Sequence, residues 1–287
     1  GPAHEPAMTK PKTRDKETRL AAMLEKLERV VIAYSGGVDS TLLLAAAVET
    51  LGCANVLAVT AESPTSTREE LAFAARTARR LRAPHLVVRT AEFEDAEFRR
   101  NTPERCYICK RIRFSALKEL AAARGFAHVC DGTNADDRRD FRPGMRAVAE
   151  LGIRSPLKEA GFTKAEIRAA SRRRGLPGWS RPAAACLASR CPYGEPLSPA
   201  KLAMIEAAER YLKRLGLPQV RVRTHAIGPQ TYLARIEAPR GAVRPALFAR
   251  IARRLGRLGY LYATLDLAGY RTGSLNFMIG KKPGARA

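Results

Sequence analysis

The chain of 287 residues is long enough for one large domain or two modest ones. Its 46% hydrophobic and 28% charged content excludes a mainly disordered protein, and no apolar run reaches the ~20 residues of a membrane helix. Lysine and arginine total 51 against 28 acidic residues, a formal charge of +23. That surplus favours anionic partners, although an Arg- and Ala-rich genome would leave the same mark.

Residues 1–19 are polar and charged and read as a tag remnant with a disordered lead-in, not a signal peptide. The expected location is the cytoplasm, with no membrane partner. Residues 21–29 read as a short amphipathic helix. VVIAY (30–34) then has the apolar, β-branched pattern of a buried strand. SGGVDS (35–40) follows, then an apolar helix to about Leu51. VLAVT (56–60) and HLVV (85–88) read as strands separated by a helix over 66–82. A helix over 104–124 stops at Gly125 and leads to a fourth strand at 128–132. This alternation predicts a doubly wound, mostly parallel α/β sheet over residues 20–180.

The pattern then changes. Thr163 and Glu166 form a capping box that opens a helix to about Arg174. Residues 175–199 are rich in Gly, Pro and Ala and read as a long loop, a common place for function. A helix over 199–215, strands near 220–228, 232–238 and 260–270, and a helix over 244–257 predict a smaller α+β domain at 181–280.

The SGGVDS turn carries the most chemistry. Gly36 and Gly37 let the backbone approach phosphate oxygens, and the following helix N-terminus offers unpaired N–H groups. Ser35 and Ser40 add hydroxyl donors. Asp39 would repel an anion unless Mg²⁺ bridges the two. The GxxxxGK[ST] pattern is absent, and the whole string resembles the PP-loop of the ATP pyrophosphatase superfamily, whose fold is adenine nucleotide alpha hydrolase-like. The resemblance implies cleavage of ATP to AMP and pyrophosphate with adenylation of a substrate.

Seven further strings, in order, resemble the LarE family of ATP-dependent sulfur transferases. They are TAESPTSTREELAFA (60–74), PERCYICKRIRFSAL (103–117), CDGTNADDRRDFRPG (130–144), ACLASRCPYGEPLS (185–198), RVRTHAIG (221–228), ARIE (234–237) and DLAGYRTGSLN (266–276). The resemblance implies a pyridinium dicarboxylate mononucleotide as substrate, in nickel-pincer nucleotide cofactor biosynthesis. One carboxylate is adenylated and then becomes a thiocarboxylate. It places Lys110, Ser189, Arg190, Arg221 and Arg223 at the substrate and Cys186 at the sulfur-bearing position.

Six cysteines in a chain expected to be cytosolic argue against disulfides. Cys186, flanked by Arg181 and Arg190, is a candidate nucleophile with a lowered pKa. It would attack the acyl adenylate and be left as dehydroalanine. Cys106 and Cys109 form a CxxC pair that, with Cys186, could hold a [4Fe-4S] cluster carrying the transferable sulfide. Cys191 is a possible substitute ligand. The sequence leans to the cluster without excluding sacrifice of Cys186. Cys53 and Cys130 read as core fillers. Arg221 and Arg223, two apart on a strand, share a face. Glu209 and Glu237 are candidate metal or base residues, His225 a weaker candidate, and Trp179 a packing residue. The rival readings are a PP-loop tRNA thiolase and a non-catalytic nucleotide-binding regulator. The lack of an RNA-binding module and only 6% aromatic residues argue against nucleic acid as substrate or partner. A homo-oligomer stays open.

Overall fold

A computed structural model describes residues 13–139, 143–182, 185–271 and 275. Ten helices and seven strands are named below in chain order. They are α1 (Thr13–Glu25), β1 (Val30–Ala33), α2 (Val38–Leu51), β2 (Val56–Glu62), α3 (Arg68–Arg80) and β3 (His85–Arg89). Then come α4 (Ala96–Arg99), α5 (Arg105–Ala123), β4 (His128–Cys130), α6 (Pro143–Glu150), α7 (Pro156–Glu159) and α8 (Lys164–Arg173). The second half holds α9 (Pro199–Arg214), β5 (Arg221–Gly228), β6 (Thr231–Glu237), α10 (Phe248–Leu258) and β7 (Tyr260–Leu265).

The first sheet has the order β3-β2-β1-β4 and is parallel throughout. Successive residues of β1 alternate between its faces, and both faces are covered. Ile32 joins Leu20, Leu43, Ala74 and Ile167 under α1, α2, α3 and α8. Val31 joins Leu57, Phe114, Leu117 and Val148 under α5 and α6. Strands buried on both faces need apolar residues at every position, which is why VVIA and VLAV lack polar alternation. The central β1 pairs with both β2 and β4, so the connections diverge beyond its carboxyl end. In open parallel sheets that is where a crevice forms, and SGGVDS lies there.

The smaller sheet has the order β5-β6-β7, with β5 and β6 antiparallel and β6 and β7 parallel. Its core joins Leu212 of α9, Val222, Ala234 and Ile236 of the sheet, and Ile251 and Leu255 of α10. A further apolar cluster of Phe98, Ile108, Leu187, Ala188, Leu197, Leu202 and Ile205 pins the loop after Cys186 between α5 and α9.

Four sequence expectations change. The lead-in is shorter than 1–19: helix α1 begins at Thr13, because Lys16 Nζ donates to Gly161 O at 2.8 Å and to Glu166 at 2.7 Å. Residues 1–12 lie outside the described residues. The helix expected over 21–29 ends at Glu25, and Glu28 takes a left-handed φ of 58° to turn into β1. Cys53 is exposed on a short 3-10 turn, not a core filler, because Gly52 turns the chain outward. The last expected helix starts at Phe248, after a 3-10 turn at Pro245–Leu247. Residues 276–280 of the second expected domain are outside the described residues.

Candidate active site

The loop between β1 and α2 is held open by its own hydroxyls. Gly36 has φ 73°, and a Cβ there would meet Ala74 at 3.1 Å. Gly37 N–H donates to Ser35 Oγ at 3.3 Å, and Ser40 Oγ donates to Gly37 O at 3.1 Å. No side chain caps the N-terminus of α2 at Gly37. Its first N–H groups and the positive end of its dipole therefore suit a phosphate. Gly132, just past β4, fits because it has no side chain: a Cβ would lie 2.8 Å from Ser40 N.

Asp39 sits at the first turn of α2. Its Oδ2 accepts from Lys164 Nζ at 2.5 Å, whereas buried Oδ1 has no hydrogen-bond partner among the described residues. Burial raises its pKa, the hydrogen bond to Lys164 opposes that, and the nearby Asp137 charge adds to the rise. An orphaned carboxylate oxygen beside a phosphate loop fits a Mg²⁺ ligand.

One cavity of about 570 Å³ connects these groups. Ser35, Gly36, Gly37, Asp39, Ser40, Cys106, Cys109, Lys110 and Cys186 all line it, together with Arg105, Arg113, Lys164 and Arg181. Cys106 and Cys186 are exposed and Cys109 is half-buried. Burial pushes the Cys109 thiol up to about 12, and its Sγ–H points at Glu92 Oε1, 3.8 Å away. Glu92 is buried and ion-paired with Arg113. Burial alone would lower the Arg105 guanidinium, but the nearby Cys186 and Cys106 side chains raise it overall. Arg113 likewise is raised against its burial by Cys109, Glu92 and Cys186. The buried Arg105 and half-buried Arg113 guanidiniums thus lie near three thiols, donors of the kind an iron–sulfur centre takes. Among the described residues no three His, Cys, Asp or Glu converge as they would around a single metal ion. A four-iron cluster draws its thiolates from a wider ring.

The second-half residues form a separate cluster behind the turn at 186–191. Arg190 is buried and donates Nε and Nη2 to Glu209 at 2.9 Å each. Its Nη1 donates to the carbonyls of Ala185 and Cys186, at 2.5 and 3.0 Å. Arg223 donates to Ser189 O at 2.9 Å and to Glu237 at 2.8 Å. Glu209 also accepts from Val222 N–H, and Glu237 is flanked by Arg235 at 3.3 Å. Both carboxylates hold arginines in place, so the geometry gives them a clamping role where the sequence offered metal or base chemistry. Arg190 is likewise committed to carbonyls and Glu209 and anchors the Cys186 turn. Ser189 Oγ donates to Cys186 O at 2.8 Å. Arg221 differs: its guanidinium donates to Val220 O, lies 5.5 Å from the Tyr270 ring and has no carboxylate partner among the described residues. Burial and the neighbouring Arg190 charge lower its pKa, so an anion there would be welcome.

The other candidates are accounted for. Cys191 is buried and pushed up to about 11, and Cys130, buried as expected, is pushed up to about 12. His225 Nε2 accepts from Arg235 Nε at 3.1 Å, and burial followed by the Arg235 charge lowers its pKa. Trp179, expected to pack, is instead exposed, with the Arg172 guanidinium 5.1 Å from its ring.

Comparison with known proteins places this site. Residues 20–117 match the Asparagine synthase family. An uncharacterized protein of Synechocystis sp. is 44% identical over 260 residues, 89% of this chain and 95% of its own. The pyridinium-3,5-bisthiocarboxylic acid mononucleotide synthase of Lactiplantibacillus plantarum is 41% identical over 268 residues, covering 93% of this chain and 95% of that protein. The chain belongs to the LarE family. Relatives of other kinds match less: a tRNA-specific 2-thiouridylase MnmA of Arthrobacter sp. is 32% identical over 54% of this chain and 51% of its own.

Within this LarE-family site, Lys164, Arg105, Arg113, Glu92 and Gly132 went unnoticed in the sequence. Lys164 opens a helix some 125 residues from Asp39, and only its capping box was legible. Arg105 and Arg113 lie in the PERCYICKRIRFSAL string, each four residues from Cys109, and that one-turn spacing was the signal available.

Proposed function

We propose that this LarE-family enzyme adenylates a carboxylate of a pyridinium-3,5-biscarboxylic acid mononucleotide with ATP and replaces one carboxylate oxygen with sulfur. The observation that carries this is the shared cavity, which the phosphate loop and Asp39 line together with Cys106, Cys109 and Cys186. The N–H groups at the start of α2 and the Ser35 and Ser40 hydroxyls hold the pyrophosphate. Asp39, whose Oδ1 has no partner among the described residues, would hold Mg²⁺, which when bound would supply positive charge for the pyrophosphate. A substrate carboxylate oxygen attacks the α-phosphorus, the bond to the pyrophosphate oxygen breaks, and an acyl adenylate results. Lys110 lies where it can neutralise charge on that mixed anhydride. Arg221 takes an anionic group of the mononucleotide.

Sulfur then attacks the acyl carbon and AMP leaves with the C–O electron pair. If Cys186 is the donor, its Sγ forms the thioester, loss of the Cα proton breaks the Cβ–S bond, and dehydroalanine remains. Cys106, Cys109 and Cys186 would instead hold a [4Fe-4S] cluster, which when bound supplies a sulfide as nucleophile. The presence of all three thiols in the lining of one cavity favours the cluster, because sacrifice needs only Cys186. A tRNA substrate is less well supported, since the 2-thiouridylase relatives match only about half of the chain.

The test combines enzyme, ATP, Mg²⁺ and the biscarboxylate mononucleotide under anaerobic conditions after iron and sulfide reconstitution. Substrate-dependent pyrophosphate release and a product with one oxygen exchanged for sulfur are expected, both lost in Asp39→Ala. Thiolation of bulk tRNA without thiolation of the mononucleotide would overturn the assignment. A brown protein whose colour is lost in Cys106→Ser, and whose Cys186 peptide keeps its mass through turnover, identifies the cluster. A colourless protein whose Cys186 peptide loses H₂S identifies sacrifice.

A further inference from the structure

A second basic site lies beside the smaller sheet and shares no residue with the ATP cavity. Between Glu237 and Asp266 the chain carries six arginines and no carboxylate. Helix α10 turns Ile251 and Leu255 into the core. Its outer side presents Arg250, Arg253, Arg254 and Arg257, at positions i, i+3, i+4 and i+7. With Arg214 from the end of α9 they surround an open pocket of about 530 Å³, whose other lining residues are Tyr211 and Leu215. Arg254 lies 5.9 Å from the Tyr211 ring. Among the described residues none of these five guanidiniums has a carboxylate within ion-pair distance, whereas Arg113, Arg190 and Arg223 are each paired.

Like charges three and four apart on one helix repel each other. The free protein therefore carries an uncompensated cost on α10 that a polyanion would relieve. Guanidiniums match phosphate oxygens in a bidentate fork. A protein partner would favour an apolar centre depleted of charge, and this pocket offers the reverse. From Arg250 to Arg257 the helix rises ~10 Å, enough to set guanidiniums against more than one phosphate of a strand.

We propose that this pocket docks the phosphodiester backbone of a single-stranded nucleic acid. The docked strand is a partner and not the group that receives sulfur. A backbone site needs neither an RNA-binding module nor many aromatics, so the composition of the chain is no obstacle.

The test is fluorescence anisotropy of labelled 20-nucleotide RNA and DNA of one sequence, titrated with the full-length protein across salt concentrations. Engagement of five guanidiniums gives a slope of log K against log salt of about −3.5. Affinity then falls roughly 100-fold from 50 to 200 mM salt. The triple variant Arg250→Gln, Arg253→Gln, Arg257→Gln is expected to reduce the slope to about −1.4. Its melting temperature should hold or rise because repulsion is relieved, and ATP-dependent pyrophosphate release should be unchanged. A charge-matched control, Arg79→Gln, Arg80→Gln, Arg82→Gln at the end of α3, should bind like the parent. Tighter binding of RNA or of DNA assigns the source of the strand. No salt-dependent binding by the parent, or equal weakening in both triple variants, would show diffuse charge and overturn the site. Loss of pyrophosphate release in the parent would strike the ATP chemistry and leave this result standing.

Discussion

Glu209→Ala isolates the clamp behind the sulfur-bearing turn. The carboxylate takes three hydrogen bonds, two from Arg190 at 2.9 Å and one from Val222 N–H at 3.0 Å. Side-chain exposure at the pair is 4% for Arg190 and 6% for Glu209, so neither charge can be resolvated without local opening. Removing one partner of a buried ion pair leaves the other charge unpaired and costs about 3–5 kcal/mol. An exposed pair would cost at most ~1 kcal/mol. The loss should reach function through Arg190, which ties the carbonyls of Ala185 and Cys186. Glu209→Ala should lower the urea midpoint strongly. In the protein still folded it should slow sulfur transfer more than substrate-dependent pyrophosphate release, because the ATP loop does not touch this pair. Arg190→Met with Glu209→Leu should restore most of the stability, since apolar pairs of similar volume often replace buried ion pairs at no cost, while sulfur transfer stays low. A Glu209→Ala loss below ~1 kcal/mol, or a Glu209 variant whose defect is repaired by excess divalent metal, would refute the clamp and return Glu209 to the metal role.

Further outcomes follow from the ATP loop. Gly132→Ala places a methyl 2.8 Å from Ser40 N and should abolish ATP binding by calorimetry while the far-ultraviolet circular dichroism is kept; normal binding would show that β4 does not support the loop. Asp39 must be ionised to hold Mg²⁺, and its raised pKa puts the acid limb of pyrophosphate release above the ordinary carboxylate range. Lys164→Met removes both the hydrogen bond and the charge that oppose that rise, so the limb should move to higher pH. An unchanged or lower limb would mean that Lys164 does not act on Asp39. Arg221→Ala should weaken mononucleotide binding about 10- to 100-fold, the loss of one charge-assisted contact, with ATP binding unchanged; Arg223→Ala should instead lower stability, because Glu237 would be left buried beside a lost partner.

Much of the first half was legible because its signals are local. A four-residue apolar strand, a Gly-Gly turn and an apolar helix follow one another within 22 residues, from Val30 to Leu51. Buried parallel strands announce themselves by apolar runs, and a phosphate loop by small residues before a helix. The capping box at Thr163 formed as read, with both reciprocal bonds present. The order of strands could not be read in the same way, since β4 pairs with β1 across almost 100 residues of chain.

Burial and partnership were decided by tertiary contacts. Arg221 and Arg223 look alike in sequence, and both lie on one face of β5. The antiparallel register pairs Arg221 with Glu237 and Arg223 with Arg235, yet it is the Arg223 side chain that reaches diagonally to Glu237 and across to Ser189 O, where its charge is spent, while Arg221 lies over Tyr270 without a carboxylate ion pair among the described residues. Cys106 and Cys109 differ by one turn of α5, which exposes one thiol and turns the other toward buried Glu92. Residue type and local spacing were sufficient to mark a phosphate-binding turn at the end of β1, and the resemblance of that turn to a known loop supplied its chemistry. Which charges are free to act on a substrate depends on groups brought together from distant parts of the chain, because Coulomb energy and desolvation follow distance in space and not position in sequence.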